Sequence, residues 1–266
     1  MIYTDVDSAY LSLCKQLLDA PHVGNTREIL NAHIQIENPC DSVVSIRDIS
    51  IEYLFGELIW YLTARNDLEF ISKFSTFWNH LSDDGETCNS AYGYIIADKH
   101  GFNQLAKVME LLHEDPTSRR AVININVPNE HVIETKDEPC TVSIQFLLRD
   151  NKVHCTTYMR SNDIWLGFPY DVVFFTELQR LVAVELGADP GTYTHFVGSL
   201  HMYDKDVEKI KRIVEYPDPR PVVFDHEALW SHAVYMSEMI MTSNNPRREL
   251  REMLRWFNIY NVGGTE

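Results

Sequence analysis

The sequence has no CxxC pair, no long apolar run and no surplus of basic residues. Cys14, Cys40, Cys88, Cys140 and Cys155 are an odd number of thiols at irregular spacing. That spacing gives no support to a zinc knuckle or a thioredoxin site, and no metal is expected. It suits a reducing cytoplasm, where each thiol is either a packed side chain or a nucleophile. No apolar stretch approaches the roughly 20 residues that a spanning helix needs. Met1–Ala9 carries Asp5 and Asp7 but no basic residue and no apolar core, unlike a targeting segment. Lys and Arg number 23 against 39 Asp and Glu, a net charge of −16. That field disfavours nonspecific binding to nucleic acid or anionic membrane, although a small phosphate site can persist inside it. Repeats, low-complexity runs and an obvious linker are also missing.

What is present is an ordinary globular composition, 45% hydrophobic over 266 residues. At roughly 150 residues per domain this allows one or two domains. Folding hides about 70–75% of the extended surface at this mass, so the core needs no metal or disulfide staple. Asp5–Ala20 reads as a helix, Ile34–Ile46 as strand–turn–strand around Pro39, and Ile49–Leu62 as a helix apolar almost all round. Ile71–Leu81 and Phe102–Leu112 read as shorter helices. Ala121–Val127, Val142–Leu148 and Val153–Met159 read as strands, the last two joined by a hairpin at Asp150-Asn151. Asp171–Leu186 is a helix with hardly any polar face, Thr192–Tyr203 a strand and Asp204–Val214 a helix. Leu229–Met241 and Pro246–Phe257 read as two closing helices. The economical reading is one α+β domain, an irregular sheet wrapped by helices.

Several residues stand out chemically. Glu57 lies in the middle of the apolar helix, where an unpaired carboxylate costs several kcal/mol in desolvation. Cys140, alone, reads as a packed thiol; Arg119-Arg120 and Arg160 lie about twenty residues to either side of it. Arginines gathered around a thiol lower its pKa and grip an anionic substrate. Arg160-Ser161-Asn162-Asp163 offers guanidinium, hydroxyl, amide and carboxylate to a small polar ligand, or forms a polar turn. Asp171 is either a functional carboxyl or a helix N-cap. His201 and Tyr203 share one side of a strand, as a site or as a core pair. Arg247, Arg248, Arg251 and Arg255 form a basic helical face, read as solvated surface or salt-bridge partners.

Taken in order, Gly56-Glu57-Leu58-Ile59-Trp60, Ser118-Arg119-Arg120, Pro139-Cys140, Gln145-Phe146, the run Arg160 to Asp171 and His201-Met202-Tyr203 resemble the thymidylate synthases, from about residue 48 to 210. The resemblance implies a thymidylate synthase-like α+β fold over residues 1–266: a twisted mixed sheet wrapped by helices, in a single domain that forms a sheet-mediated homodimer. Asp171 stands where synthases carry asparagine, and aspartate there resembles the deoxycytidylate (dCMP) hydroxymethylase branch. Thr141 replaces a histidine common in synthases, and the usual folate-covering tail is not recognisable in Asn258–Glu266.

The implied reaction adds water to a one-carbon unit delivered from 5,10-methylenetetrahydrofolate to C5 of dCMP. The alternatives are a CMP hydroxymethylase, a synthase-type reductive methylation and a non-catalytic nucleotide- or folate-binding protein. By the same resemblance Cys140 is the nucleophile at C6. Glu57 orders water and relays protons, its burial expected to raise its pKa, and Tyr92 assists C5 deprotonation. Asp171 reads the base. Arg27, Arg160 and Ser161 bind the phosphate, joined across the homodimer by Arg119 and Arg120 reaching the partner's site. Gln145 and Asn162 face the nucleotide, and His201 and Tyr203 the sugar. Asp163, Trp78 and Gly167 face the folate. The implied setting is cytoplasmic, or the host's cytoplasm for a virus-encoded chain.

Overall fold

The computed structural model describes residues 1–127 and 134–262. In chain order it begins β1 (Ile2–Tyr3), α1 (Val6–Leu18), β2 (His22–Val23), β3 (Thr26–Ile36), α2 (Ile51–Leu62), α3 (Leu68–Ile71), α4 (Trp78–Leu81), α5 (Tyr92–Ala97) and α6 (Gln104–Glu114). It continues β4 (Val122–Asn124), β5 (Thr141–Arg149), β6 (Lys152–Asp163), α7 (Phe168–Glu185), β7 (Asp189–Tyr203) and α8 (Val207–Glu215). β8 (Val222–Phe224), α9 (His226–Thr242), α10 (Pro246–Trp256) and β9 (Tyr260–Val262) close it. This is the expected α+β architecture. None of its helices, among the described residues, is long and apolar enough to cross a membrane. The chain forms two units: residues 1–48, 105–124 and 140–221, and residues 49–104, 125–139 and 222–266.

The first unit is built on a mixed sheet in the order β1-β3-β7-β6-β5-β4, with β2 folded onto β3. β5 turns into β6 through Asp150 and Asn151 at φ 51° and 57°, a left-handed conformation that Asx side chains tolerate. β6 and β7 are parallel, so the chain must cross over between them, and α7 is that crossover. Phe168, Val172, Phe175 and Val182 are fully buried along it, as its missing polar face predicted. Asp171 is not its N-cap. The helix begins at Phe168 behind Gly167, with Pro169 in the first turn, which leaves the Asp171 side chain available for other work.

The strand expected after Pro39 does not form. Asp7, in the first turn of α1, accepts the backbone N–H of Ser45 at 2.7 Å, that of Ile46 at 3.4 Å and the Ser45 hydroxyl at 2.5 Å. Donors that a strand would have used are thus taken by a side chain.

In the second unit, α2 starts at its Ser50 cap and is buried from Leu54 to Tyr61. The single helix expected over Ile71–Leu81 is two short ones. Asp67 caps α3 by accepting from the Phe70 N–H at 2.9 Å, and the Ser75 hydroxyl accepts from the Phe77 N–H at 3.2 Å, turning the chain between them. β8 and β9 pair as a small antiparallel ribbon that alternation did not reveal. α10 carries its arginines outward as expected: Arg248 meets Glu252 at 2.7 Å and Arg251 meets Glu52 at 3.2 Å. Of the tail from Asn258 to Glu266, residues 263–266 lie outside the described residues.

Close approach within this unit depends on Gly93. A Cβ there would sit 1.9 Å from the Tyr61 carbonyl oxygen, so only glycine lets α5 meet α2 at the point where Tyr92 stacks on Tyr61 with centroids 5.6 Å apart. Gly93→Ala is expected to lower unfolding stability by about 2–3 kcal/mol, measured by urea denaturation. An unchanged midpoint would show that the two helices can part without loss.

Candidate active site

The C-terminal ends of β6 and β7 bring the candidate residues of the first unit together. Their parallel register sets Ser161 against Ser199 and Asp163 against His201. Ser161 Oγ lies 3.5 Å from His201 Nδ1, and the His201 and Tyr203 rings meet edge to face at 5.4 Å. Cys140 stands immediately before β5, and its carbonyl accepts the Arg160 N–H at 2.9 Å, fixing the cysteine backbone beside that arginine. Odd-numbered residues of β7 are buried at Tyr193, His195 and Val197 and half-buried at Ser199, His201 and Tyr203. Past Gly198 the buried positions change phase to Leu200 and Met202, which leaves Ser199, His201 and Tyr203 as the accessible residues at the strand's end.

Three of the other thiols, Cys14, Cys88 and Cys155, are buried and poor nucleophiles, whereas Cys40 is exposed. Burial pushes Cys14 and Cys88 up to about 12 and Cys155 higher still. Cys140 is half-buried, accessible yet held in structure.

Asp171 ends a polar chain that begins in the core. Tyr193 Oη lies 2.7 Å from His195 Nδ1, and His195 Nε2 lies 3.1 Å from Asn162 Oδ1. Asn162 Nδ2 donates to Asp171 Oδ2 at 2.7 Å. Tyr193, His195 and Asn162 are buried, whereas Asp171 keeps part of its surface accessible. Phe168, Asp171 and Phe175 share one face of α7, and both phenyl rings pack on the His195 imidazole, at 5.3 and 6.4 Å. Gly167 makes the arrangement possible: a Cβ there would stand 2.6 Å from Asn162 Nδ2 and 3.2 Å from Asp171 Oδ2.

Loss of solvent around its carboxyl raises Asp171 to about 7. The Asn162 donor opposes that rise, and the negative Asp163 adds to it. A first-turn carboxylate gains about 0.3–1 kcal/mol from the helix dipole, well under one pKa unit, so desolvation wins. Burial lowers His195 to about 3, leaving a neutral imidazole. Asp163 is raised by burial too, opposed by the Trp165 N–H, which its Oδ1 accepts at 2.8 Å, and by His201.

Other expected residues stand as follows. Arg27, in β3 opposite Met202, donates from Nη1 to the Leu18 carbonyl. Arg119 and Arg120 are exposed ahead of β4, and Gln145 Nε2 donates to the Arg119 carbonyl at 2.9 Å. In the second unit Glu57 is buried in α2 and accepts from the Tyr53 hydroxyl at 2.5 Å, which in turn accepts the Trp78 indole N–H at 3.2 Å. Tyr92 begins α5. Sequence reasoning did not single out His195, Tyr193 or Arg47. The first two show as polar residues two apart on one strand face. Arg47 donates to the Trp165 carbonyl and lies 4.1 Å over its ring, bracing the loop that leads into Gly167. No cluster of three metal-ligating side chains occurs among the described residues.

An accessible thiol, a hydroxyl and guanidinium on adjacent strand ends and a carboxyl poised near neutrality suit covalent chemistry on a small anionic ring compound. Comparison with known proteins agrees. Residues 8–227 match the family model described as thymidylate synthase. The deoxyuridylate hydroxymethyltransferase of Bacillus phage SP01 is 30% identical over 233 residues, covering 79% of this chain; the chain spans 61% of that relative's length.

Between pH of about 4 and about 7 the folded chain holds a proton on Asp171 that the unfolded chain releases, so this group lowers stability as pH rises through that window. Asp171→Asn removes the effect. The stability of the variant relative to the parent is expected to rise steadily across the window in chemical denaturation. A pH-independent difference would mean the carboxyl is not held neutral.

Proposed function

We propose that this chain, which belongs to the thymidylate synthase family, transfers a one-carbon unit from 5,10-methylenetetrahydrofolate to C5 of dCMP and completes the reaction with water. The products are 5-hydroxymethyl-dCMP and tetrahydrofolate. One observation carries this reading: the Asp171 carboxyl, raised to about 7, stands on the same unit as half-buried Cys140 and the Arg160-Ser161 pair. Cytosine presents an N3 acceptor and a 4-amino donor. A neutral carboxylic acid offers the complementary hydroxyl donor and carbonyl acceptor, whereas an asparagine amide suits uracil.

The pyrimidine C5 is unreactive until C6 is substituted. Cys140 thiolate forms an S–C6 bond, and the C5–C6 electron pair moves to C5. C5 then bonds the carbon unit that methylenetetrahydrofolate supplies when bound. Tyr92 assists removal of the C5 proton as the bond from the transferred carbon to the folate nitrogen breaks, which releases tetrahydrofolate and leaves an exocyclic methylene on the pyrimidine. Water adds to that methylene, and the S–C6 bond breaks to return the thiolate. Glu57 is assigned the ordering of water and the proton relay, with Tyr53 holding its carboxyl.

Arg160, Ser161 and Arg27 take the 5′-phosphate, joined by Arg119 and Arg120 reaching the partner's site in a homodimer. The outward Tyr158 and Leu30, on adjoining regions of the sheet, support burial of that face in such a pair. These arginines would make a local exception to the net charge of −16. Gln145 and Asn162 lie toward the nucleotide, and His201 and Tyr203 toward its 3′-hydroxyl. On the folate side, the Asp163 carboxyl suits the N–H donors of a pterin, with Trp78 as an aromatic surface and Gly167 giving clearance. Residues 1–266 act as one catalytic domain in the cytoplasm.

The phage relative favours a second reading, 5-hydroxymethylation of dUMP. A neutral Asp171 can also meet uracil's N3–H and O4 if its donor and acceptor oxygens exchange places. The test supplies methylenetetrahydrofolate with dCMP, CMP or dUMP, and follows C5 tritium release and product mass. A CH2O gain fastest on dCMP is expected. Fastest turnover of dUMP or CMP would replace the substrate, a CH2 gain would mean reductive methylation, and no release with any nucleotide would mean a binding protein. Asp171→Asn is expected to move the dCMP-to-dUMP ratio toward uracil by about one to two decades.

A further inference from the structure

The polar chain from Tyr193 to Asp171 has a direction. Its outer members, Asn162 and Asp171, belong to the proposed site; its inner members, Tyr193 and His195, are fully buried and have no part in the chemistry assigned above. We propose that His195 is a positioning residue that selects the pyrimidine base by fixing the orientation of the Asn162 amide, and through it which oxygen of Asp171 carries the acid proton. The inference rests on the reading that Asp171 meets the base.

A neutral imidazole donates from one nitrogen and accepts at the other. When the Tyr193 hydroxyl, 2.7 Å from Nδ1, is the donor, Nδ1 is the acceptor. The proton then sits on Nε2, directed at Asn162 Oδ1 at 3.1 Å. With its oxygen held there, Asn162 must turn its NH2 to Asp171 Oδ2, at 2.7 Å. Oδ2 is therefore an acceptor, and the proton of the neutral acid resides on Oδ1.

Reversal of any link reverses the last one. If His195 took the other tautomer, Nε2 would accept, the Asn162 amide would turn over, and its oxygen would face Asp171 Oδ2. Two bare oxygens at that separation repel, so the acid proton would move to Oδ2. The acid's one proton would then be spent on Asn162, and the base edge would meet acceptors only. Cytosine, an acceptor at N3 and a donor at C4, is the electronic inverse of uracil at those two positions. The same carboxyl in the same place thus offers cytosine N3 a donor, or withholds it, according to a tautomer two residues away. Gly167 supports the arrangement independently, because any side chain there would displace the Asn162 amide. The packing of Phe168 and Phe175 on the imidazole keeps water from offering an alternative partner.

The test compares dCMP and dUMP kcat/KM for the full chain with methylenetetrahydrofolate in four forms: parent, His195→Phe, His195→Gln and Asp171→Asn. Loss of the donor in His195→Phe is expected to shrink the preference between the two bases by at least about tenfold. His195→Gln, whose amide can donate to Asn162 and accept from Tyr193, is expected to restore the preference to within about threefold. A merely structural role would lower both substrates alike and leave the ratio standing.

An unchanged ratio in His195→Phe while Asp171→Asn alters it would overturn this proposal and leave the base-reading role intact. An unchanged ratio in Asp171→Asn would end both. Should His195→Phe fail to fold, nitrogen-15 NMR of the parent protein reads the tautomer directly. Protonation at Nε2 with a bare Nδ1 is expected, and the opposite tautomer would refute the proposal.

Discussion

One hydrogen bond, Asn162 Nδ2 to Asp171 Oδ2 at 2.7 Å, ties the end of β6 to the first turn of the helix that covers the sheet. One partner is the last residue but one of β6, the other lies in the first turn of α7, and the four-residue connection from strand to helix has room for the contact only because residue 167 is glycine. In water such a bond contributes about 0.5–1.5 kcal/mol. Here it acts on a carboxyl already deprived of solvent, where small changes in donor geometry decide between ionised and neutral forms. The bond lowers Asp171 and burial raises it more, leaving the group close to neutrality, where an acid and its conjugate base are both accessible.

The fold places this balance where a ligand can use it. The β6–β7 pair is parallel, so both strands end on the same edge of the sheet, and the crossover helix must start beside that edge. Open α/β sheets bind ligands at strand C-termini for this geometric reason. Arg160, Ser161, Asp163, His201 and Tyr203 all fall within the last residues of those two strands. Arg47 and Trp165 stiffen the loop between strand and helix from outside. Interior polarity, normally a liability, is here fully connected: each of Tyr193, His195 and Asn162 has a partner along the chain.

Much of this was legible in the residues. Long periodic segments such as α1, α2 and α7 were readable because burial on one or all sides leaves a pattern. The β5–β6 hairpin was readable because Asp150-Asn151 has the chemistry of its turn. Local side-chain bonds undid other expectations. Asp7 satisfies the backbone at Ser45 and Ile46, and Asp67 and Ser75 divide the Ile71–Leu81 stretch; neither effect has a periodic signature. A cap role for Asp171 stayed open in the sequence as the lesser alternative, and the start of α7 at Phe168 closes it. His195 was silent, because a buried histidine in an alternating strand reads as core until its neighbours across β6 and α7 are known.

The account stands or falls on Cys140 and Asp171 acting on one pyrimidine. The most direct measurement incubates the protein with methylenetetrahydrofolate and 5-fluoro-dCMP, whose C5 fluorine cannot leave as a proton does, and weighs the denatured protein and its peptides. The account requires a stable covalent adduct of nucleotide and folate on the peptide bearing Cys140, formed more readily than with 5-fluoro-dUMP and absent in Cys140→Ser. No adduct, or one carried by another cysteine, would contradict it.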